Sequence, residues 1–412
     1  MTTTIDTRKI AGQAGYIAGG RLGGAMIQAL SLALLARVLG PSDFGAFAVW
    51  YGLAVVLQAF VNFGLTPLLV RVRAQGGRDS DVLRMLFLCG IASAVVAVVV
   101  TTFASVSAIF FEAKWYLVPL GIWVVADNLV ETYLAIPLAD GRAWQNAISL
   151  VYRRSISVVV LLIGMVLDAD VALFYASGLA LGSLTVFLFV LKDNSQRLSG
   201  DQSQMTFGSL AAEAKYFWIN SIATQARNLD VFVVSIVATG SGAGSTTGYY
   251  AAASRLTSPL RIVPTSFASV LMPAAVRSAK DGKYRGLVRA TVLISLVSAV
   301  GFLIVALLVP LLVPIVLGES YDGAVTVIQI VCGGLVFAAV SSQLNAVLQA
   351  IGRARLVSNV SLVSTVACLL LVALLVPSAG AAGAGWGLAI SYVVQFLILT
   401  FATWKTVRGA RR

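Results

Sequence analysis

Residues 288–316 read VRATVLISLVSAVGFLIVALLVPLLVPIV, with Arg289 the one charge among them. A hydrocarbon core about 30 Å thick is crossed by roughly 20 helical residues. No water reaches that layer, so only helices or closed barrels satisfy the backbone there, and this run is too long and too continuously apolar for a barrel strand. It reads as a transmembrane helix. Comparable runs lie on either side, at about 11–36, 45–67, 84–110, 115–138, 145–167, 171–191, 215–239, 247–274, 324–350, 356–377 and 382–404. The predicted fold class is therefore an all-α integral membrane protein of about twelve spans.

Composition agrees with this reading. The 412 residues are 59% hydrophobic and 11% charged, with a mean hydropathy of +0.92, whereas soluble chains carry about 25% charged residues. The net charge of +12 does not point to nucleic acid, because the basic residues punctuate apolar runs and form no stripe on a soluble domain. The absence of histidine removes His-based triads, His-ligated metals and the imidazole proton switch. Cys89, Cys332 and Cys368 each lie inside an apolar run without metal-ligand spacing, so they read as small core residues. No resident metal or cofactor is expected. Arg8 and Lys9 precede an apolar stretch that Arg21 interrupts, which predicts a retained first span and not a cleaved signal.

Basic residues set the orientation. With a cytoplasmic N-terminus, the inner connections and tails hold 23 of the 29 Lys and Arg, whereas the outer loops hold Arg37 and Lys114 beside Asp43, Glu112, Asp168, Asp170, Glu319 and Asp322. The positive-inside rule then predicts both termini in the cytoplasm and an even number of spans. Arg153 and Arg154 count among the inner residues, as anchors for the start of the fifth helix among lipid head groups. The polar stretch around 193–214 divides the chain into two six-helix bundles, 1–192 and 215–412.

Short matches recur in the same order in both halves. Thr66-Pro67-Leu68-Leu69-Val70-Arg71 ends span 2 as Met272-Pro273-Ala274-Ala275-Val276-Arg277 ends span 8. Gly141-Arg142-Ala143 opens span 5 as Gly352-Arg353-Ala354 opens span 11. Equivalent elements six helices apart predict a parallel repeat, in which ligands bind between the halves near the midplane. A shared response to the bilayer surface, with Pro and Arg near cytoplasmic helix ends, is the alternative.

Four arginines remain inside spans: Arg21, Arg227, Arg255 and Arg261. Each would cost about 3 kcal/mol facing lipid at the bilayer centre, which calls for an internal cavity or internal pairing. Asp127 and Glu131 lie one turn apart on span 4, and Asp230 follows Arg227 by three residues, so these are candidates for pairing or for ion coupling by sodium or a proton. Asn220, Thr224 and Arg227 form a polar stripe on span 7. Ser342, Asn345 and Gln349 form another on span 10, and Gly19, Gly20, Gly23 and Gly24 clear space around Arg21. Four guanidiniums against three carboxylates favour an anionic ligand, and guanidiniums bind phosphate bidentately. The expected ligand-binding residues are Arg21, Arg227, Arg255, Arg261, Asn220 and Asn345.

Ala36-Arg37-Val38-Leu39-Gly40-Pro41-Ser42-Asp43-Phe44-Gly45-Ala46-Phe47, after a Gly-rich first helix, resembles the helix 1 to 2 connection of bacterial polysaccharide flippases. These belong to the multidrug/oligosaccharidyl-lipid/polysaccharide exporter (MOP) superfamily. Arg227-Asn228-Leu229-Asp230, the run from Gly248 to Leu256 and Met272–Arg277 resemble further short motifs of that family. The resemblance implies two bundles around a V-shaped central cavity. It also implies alternating access, and translocation of an undecaprenyl-diphosphate-linked oligosaccharide to the outer leaflet of the bacterial inner membrane for surface polysaccharide or exopolysaccharide. The expected partners are that lipid-linked substrate, membrane lipids and a polysaccharide polymerase complex, with the chain itself a monomer. Two other readings stay open: an ion-coupled multidrug exporter of the same superfamily, whose cavity should be acidic, and a membrane polymerase or glycosyltransferase, which would need a sizeable outer loop.

Overall fold

A computed structural model describes residues 7–74, 78–110, 114–196, 198, 207–262, 264–265, 285–350 and 353–409. Helices follow one another as α1 (Thr7–Val61), α2 (Leu65–Ala74), α3 (Asp79–Phe110), α4 (Leu117–Ala139), α5 (Ala143–Val166), α6 (Val171–Ser195), α7 (Phe207–Gln225), α8 (Asp230–Val237), α9 (Ala243–Thr257), α10 (Arg285–Val316), α11 (Asp322–Ala350) and α12 (Ala354–Gly409). The described residues contain no strand.

Among the described residues eight stretches are long and apolar enough to cross a membrane, and two of them, Gly19–Val61 and Arg355–Lys405, extend over 43 and 51 residues. Each of these folds two expected crossings into one hydrogen-bonded run, broken at Gly40 (φ 74°) and Gly380 (φ 55°). Glycine reaches positive φ without a Cβ clash, so the outer connections need almost no loop. The expected span 2 is interrupted near its inner third, where Phe63 (φ 48°) and Gly64 (φ 70°) separate α1 from α2. Span 7 is likewise broken by a 3-10 turn at Ala226–Leu229. Asp170 caps α6, its Oδ1 accepting from the amides of Ala172 (3.0 Å) and Leu173 (3.1 Å), two of the donors a helix start leaves open. The later part of span 8, with Met272–Arg277, and Gly352 lie outside the described residues.

Burial runs opposite to hydropathy. The most apolar span, Thr291–Val316 (hydropathy 3.0), has 22% of its window buried, whereas Leu117–Ala139 (1.3) has 67%. Lipid solvates Leu307, Leu311 and Phe103 as readily as protein would, so it is the helix carrying Asp127, Asn128 and Thr132 that is enclosed.

By contacts the chain separates into two compact units, one of Met1–Ser31 and Leu53–Gln225, the other of Leu32–Gly52 and Ala226–Arg412. The outer hairpin of α1 thus groups with the second unit, and α7 with the first, a different grouping from the halves 1–192 and 215–412. Inside the second unit the hairpin is held closely: a Cβ on Gly45 would lie 2.8 Å from the Gly248 amide, Arg37 Nη1 donates to the Ile315 carbonyl (2.7 Å) and Tyr321 donates to the Ala36 carbonyl (3.0 Å). In the first unit α4 packs on α2, α3, α5 and α6 around a core that includes Leu68, Leu69, Met85, Cys89 and Ile136. At the membrane edge, Arg73 bridges Asp79 and Asp140, and the hydrogen bond it donates to Asp140 raises the pKa of this guanidinium despite its partial burial.

Candidate functional site

Two polar clusters lie within the spans, one in each unit. In the first, Asp127 and Glu131 face α5 and meet the guanidinium of Arg153. Its Nη1 donates to Asp127 Oδ1 and its Nη2 to Glu131 Oε1 at 2.5 Å. Asp127 also accepts from Ser183 Oγ (2.9 Å) and Gln58 Nε2 (3.4 Å). Arg153 is 3% exposed. The expectation that Arg153 anchors a helix start at the inner surface is therefore corrected: it lies at the end of the third turn of α5, and two carboxylates one turn apart on α4 hold it there. Arg154 lies 5.9 Å over the Trp123 ring.

Arg21 is exposed and lines a cleft of about 230 Å³ with Thr66, Glu131 and Asn146. The glycines around it allow close backbone approach, since a Cβ on Gly20 would strike Ala147 and one on Gly24 would strike Leu150. Beside the ionic cluster runs a network that the sequence reading missed. Asn62 donates to Asn128 Oδ1 (3.0 Å), Thr66 and Thr132 share a hydrogen bond (2.9 Å), and Asn128 donates to Ser93 (3.3 Å). The i, i+4 spacing of Asn128 and Thr132, next to that of Asp127 and Glu131, was the available signal.

The second cluster forms where α7 gives way to α8. Arg227 sits in the intervening 3-10 turn, donating through Nη2 to Ser364 Oγ (2.9 Å) and Ser391 Oγ (3.3 Å), with its guanidinium 4.7 Å above Tyr392. Arg261, itself exposed, lies 5.5 Å from the same ring. Arg255 donates to Asn228 Oδ1 (2.7 Å) and lies 5.7 Å from the ring of Tyr51. Asp230 accepts from the Tyr250 hydroxyl (2.8 Å) and Ser254 Oγ (3.3 Å). Among the described residues Arg227 and Asp230 form no ion pair: Arg227 is engaged by α12 and Asp230 by α9. The structure thus brings Arg227, Arg255, Arg261 and Asp230 into one unit, and places Arg21, Asp127 and Glu131 in the other. Asn345, on α11, has a buried Oδ1 without a hydrogen-bond partner, and the side chain of Asn220 lies outside those described.

Donors in the second cluster exceed acceptors. Arg227 Nε and both Nε and Nη2 of Arg255 are buried without a hydrogen-bond partner, and the carboxylate of Asp230 is engaged by neutral hydroxyls. Three guanidiniums stacked on aromatic faces, with donors open, suit an anion that accepts several hydrogen bonds.

Residues 10–279 match the family described as polysaccharide biosynthesis protein. The chain belongs to this family. In this polysaccharide biosynthesis protein the matched region contains every candidate site residue except Asn345. Solved structures share its fold over nearly the whole length. One is a multidrug resistance MATE family transporter of the MOP superfamily in an inward-facing conformation, at 16% identity and a TM-score of 0.71, covering 97% of this chain and 95% of that one. Another is a MOP superfamily transporter from Pyrococcus furiosus, described by a reverse polarity of its binding pocket that suggests a different function, at 15% identity and 0.69, covering 97% and 96%. A third is a MATE transporter from Vibrio cholerae in the bent form, at 14% identity and 0.61, covering 98% of each chain. The chain is thus a multi-pass membrane protein, all of whose described elements are helical, with the fold of these transporter structures. No curated protein sequence matches it.

Proposed function

We propose that this chain is a flippase of the bacterial inner membrane that carries an undecaprenyl-diphosphate-linked oligosaccharide from the cytoplasmic to the outer leaflet for surface or exopolysaccharide synthesis. The observation that carries this reading is the excess of unpartnered guanidinium donors at Arg227 and Arg255, in a chain whose family serves polysaccharide biosynthesis. A diphosphate offers many acceptor oxygens, and guanidiniums hold such groups in fixed forks. Arg255, fixed by Asn228 through Nη1, supplies charge toward the anion. Arg227, anchored by Ser364 and Ser391, supplies charge from above Tyr392, and Arg261 extends it. Arg21 and Asn345 contribute polar contacts to the glycan.

Alternating access moves the bound head group while the chain of the lipid stays in hydrocarbon. Asp127 and Glu131 serve as pairing groups for Arg153, which leaves Asp230 as the candidate for sodium or proton coupling. The multidrug-exporter reading, with organic cations as substrates, fits less well, because a cluster of three guanidiniums to one carboxylate repels them. A polysaccharide polymerase is the expected receiving partner.

Leaflet-resolved measurement of lipid-linked oligosaccharide in a deletion strain tests the proposal. Accumulation on the cytoplasmic side is expected, reversed by the parent chain and not by Arg227→Ala or Arg255→Ala at equal abundance. Normal translocation with polymer missing would show that the chain acts after the flip.

A further inference from the structure

Arg255 lies in the last turn of α9, and the space that its guanidinium fills is left open by a residue of α1. The two helices meet twice at one register. Gly45 meets Gly248, and seven residues further along each helix Gly52 meets Arg255. Seven residues are close to two turns, so both contacts lie on one face of α1 and on one face of α9. At the first contact the backbones themselves touch. At the second, the missing side chain of Gly52 admits a guanidinium: a Cβ there would lie 2.7 Å from Arg255 Nη2 and 2.9 Å from the Asn228 carbonyl oxygen. Carbon packs on its neighbours at about 3.5–4.0 Å, so any side chain at position 52 displaces the guanidinium or pushes α1 off the turn at Ala226–Leu229.

The remaining walls of this seat are rigid. Phe47 and Tyr51 are buried, with their rings stacked at 6.0 Å and 24°, and the guanidinium lies 5.7 Å from the Tyr51 ring. Nη1 donates to Asn228 Oδ1 (2.7 Å), whereas Nε and Nη2 are buried without a hydrogen-bond partner. A guanidinium is planar, so holding Nη1 by a hydrogen bond and Nη2 by shape fixes its plane as well as its position. We propose that Gly52 is a positioning residue for the anion site: it seats Arg255 at a set angle and makes arginine the side chain that fits. Lysine keeps the charge but has no atom to place in the gap. The ligand in this inference rests on the flippase reading above.

Inorganic diphosphate, titrated calorimetrically into the full chain in detergent, is the probe. Gly52→Ala should weaken binding about tenfold and Arg255→Lys about as much, the loss expected of one charge-assisted contact. In the double variant the new Cβ meets no Nη2, so the alanine should cost less than about twofold beyond Arg255→Lys alone. A glycine needed only for helix packing would show no such coupling. Thermal unfolding of the same four proteins serves if a variant folds poorly, and stability lost with arginine but kept with lysine supports the proposal. Equal loss of affinity in both backgrounds, or failure of Gly52→Ala to fold in either, would assign Gly52 to packing on the Asn228 carbonyl and overturn it. No binding of diphosphate by the parent chain would remove the anion site and this proposal together. Binding with an additive cycle would remove the role of Gly52 alone and leave the flippase reading to the leaflet measurement.

Discussion

Replacing Arg153 by methionine keeps most of the side-chain volume and removes the charge that two carboxylates share. The loss falls unequally on them. The Glu131 side chain is 48% exposed whereas that of Asp127 is 12% exposed, so water resolvates the first and the second remains enclosed with Ser183 and Gln58. Breaking a buried pair by removing one partner costs about 3–5 kcal/mol, and a half-exposed partner adds about 0–1. The expected destabilisation of Arg153→Met is thus about 3–5 kcal/mol, or two to three and a half orders of magnitude in the unfolding equilibrium. Denaturant unfolding of the purified protein in detergent measures it. Adding Asp127→Asn removes the stranded charge and should restore about half of the loss or more, and a double-mutant cycle gives the coupling. Glu131→Gln alone should cost about 1 kcal/mol or less. If Arg153→Met unfolds within about 1 kcal/mol of the parent, or if Glu131→Gln is the costlier change, the assignment of the pair is wrong.

Tyr250→Phe deletes the hydroxyl that donates to Asp230 Oδ2 and should destabilise by about 1–3 kcal/mol in the same assay, because that buried oxygen keeps only a longer bond from Ser254 while Oδ1 stays with the Val231 amide. Gly64→Ala meets both a positive φ and the backbone of α7, so a loss of about 2 kcal/mol or more is expected, whereas Gly90→Ala, where a Cβ meets nothing within 4 Å, should be neutral or slightly stabilising. Cysteines at Ser42 and Gly244 should form a disulfide without added oxidant catalyst, since a Cβ on Gly244 lies 3.3 Å from that of Ser42, near the usual span. Peptide mapping before and after reduction checks it, and free thiols at both positions would contradict the packing of the hairpin.

Hydropathy and the distribution of Lys and Arg were enough to read an all-helical membrane protein, because lipid imposes both signals on every span. Neither reports direction around a helix axis. Arg153 and Arg154 therefore read as surface anchors, although ten residues of helix after Ala143 at 1.5 Å each already place Arg153 about 15 Å into α5. The spacing of Asp127 and Glu131 identified one face correctly, but the partner was an arginine that charge counting had assigned to the surface. Proximity in sequence misled at Arg227 and Asp230, three residues apart, because Arg227 donates to Ser364 and Ser391 of α12 whereas Asp230 accepts from Tyr250 and Ser254 of α9. The break at Phe63 and Gly64 was illegible for a similar reason: a single glycine inside an apolar run barely alters its hydropathy.

The guanidinium between Asp127 and Glu131 has a thermodynamic consequence of its own. A transporter draws work from an ion gradient when a cation is captured at one electrochemical potential and released at another. Arg153 is covalently part of α5, so while it holds its carboxylates it has no potential difference to fall through. Its own displacement around a closed cycle returns no net work, whereas an ion that drives transport has to bind and leave.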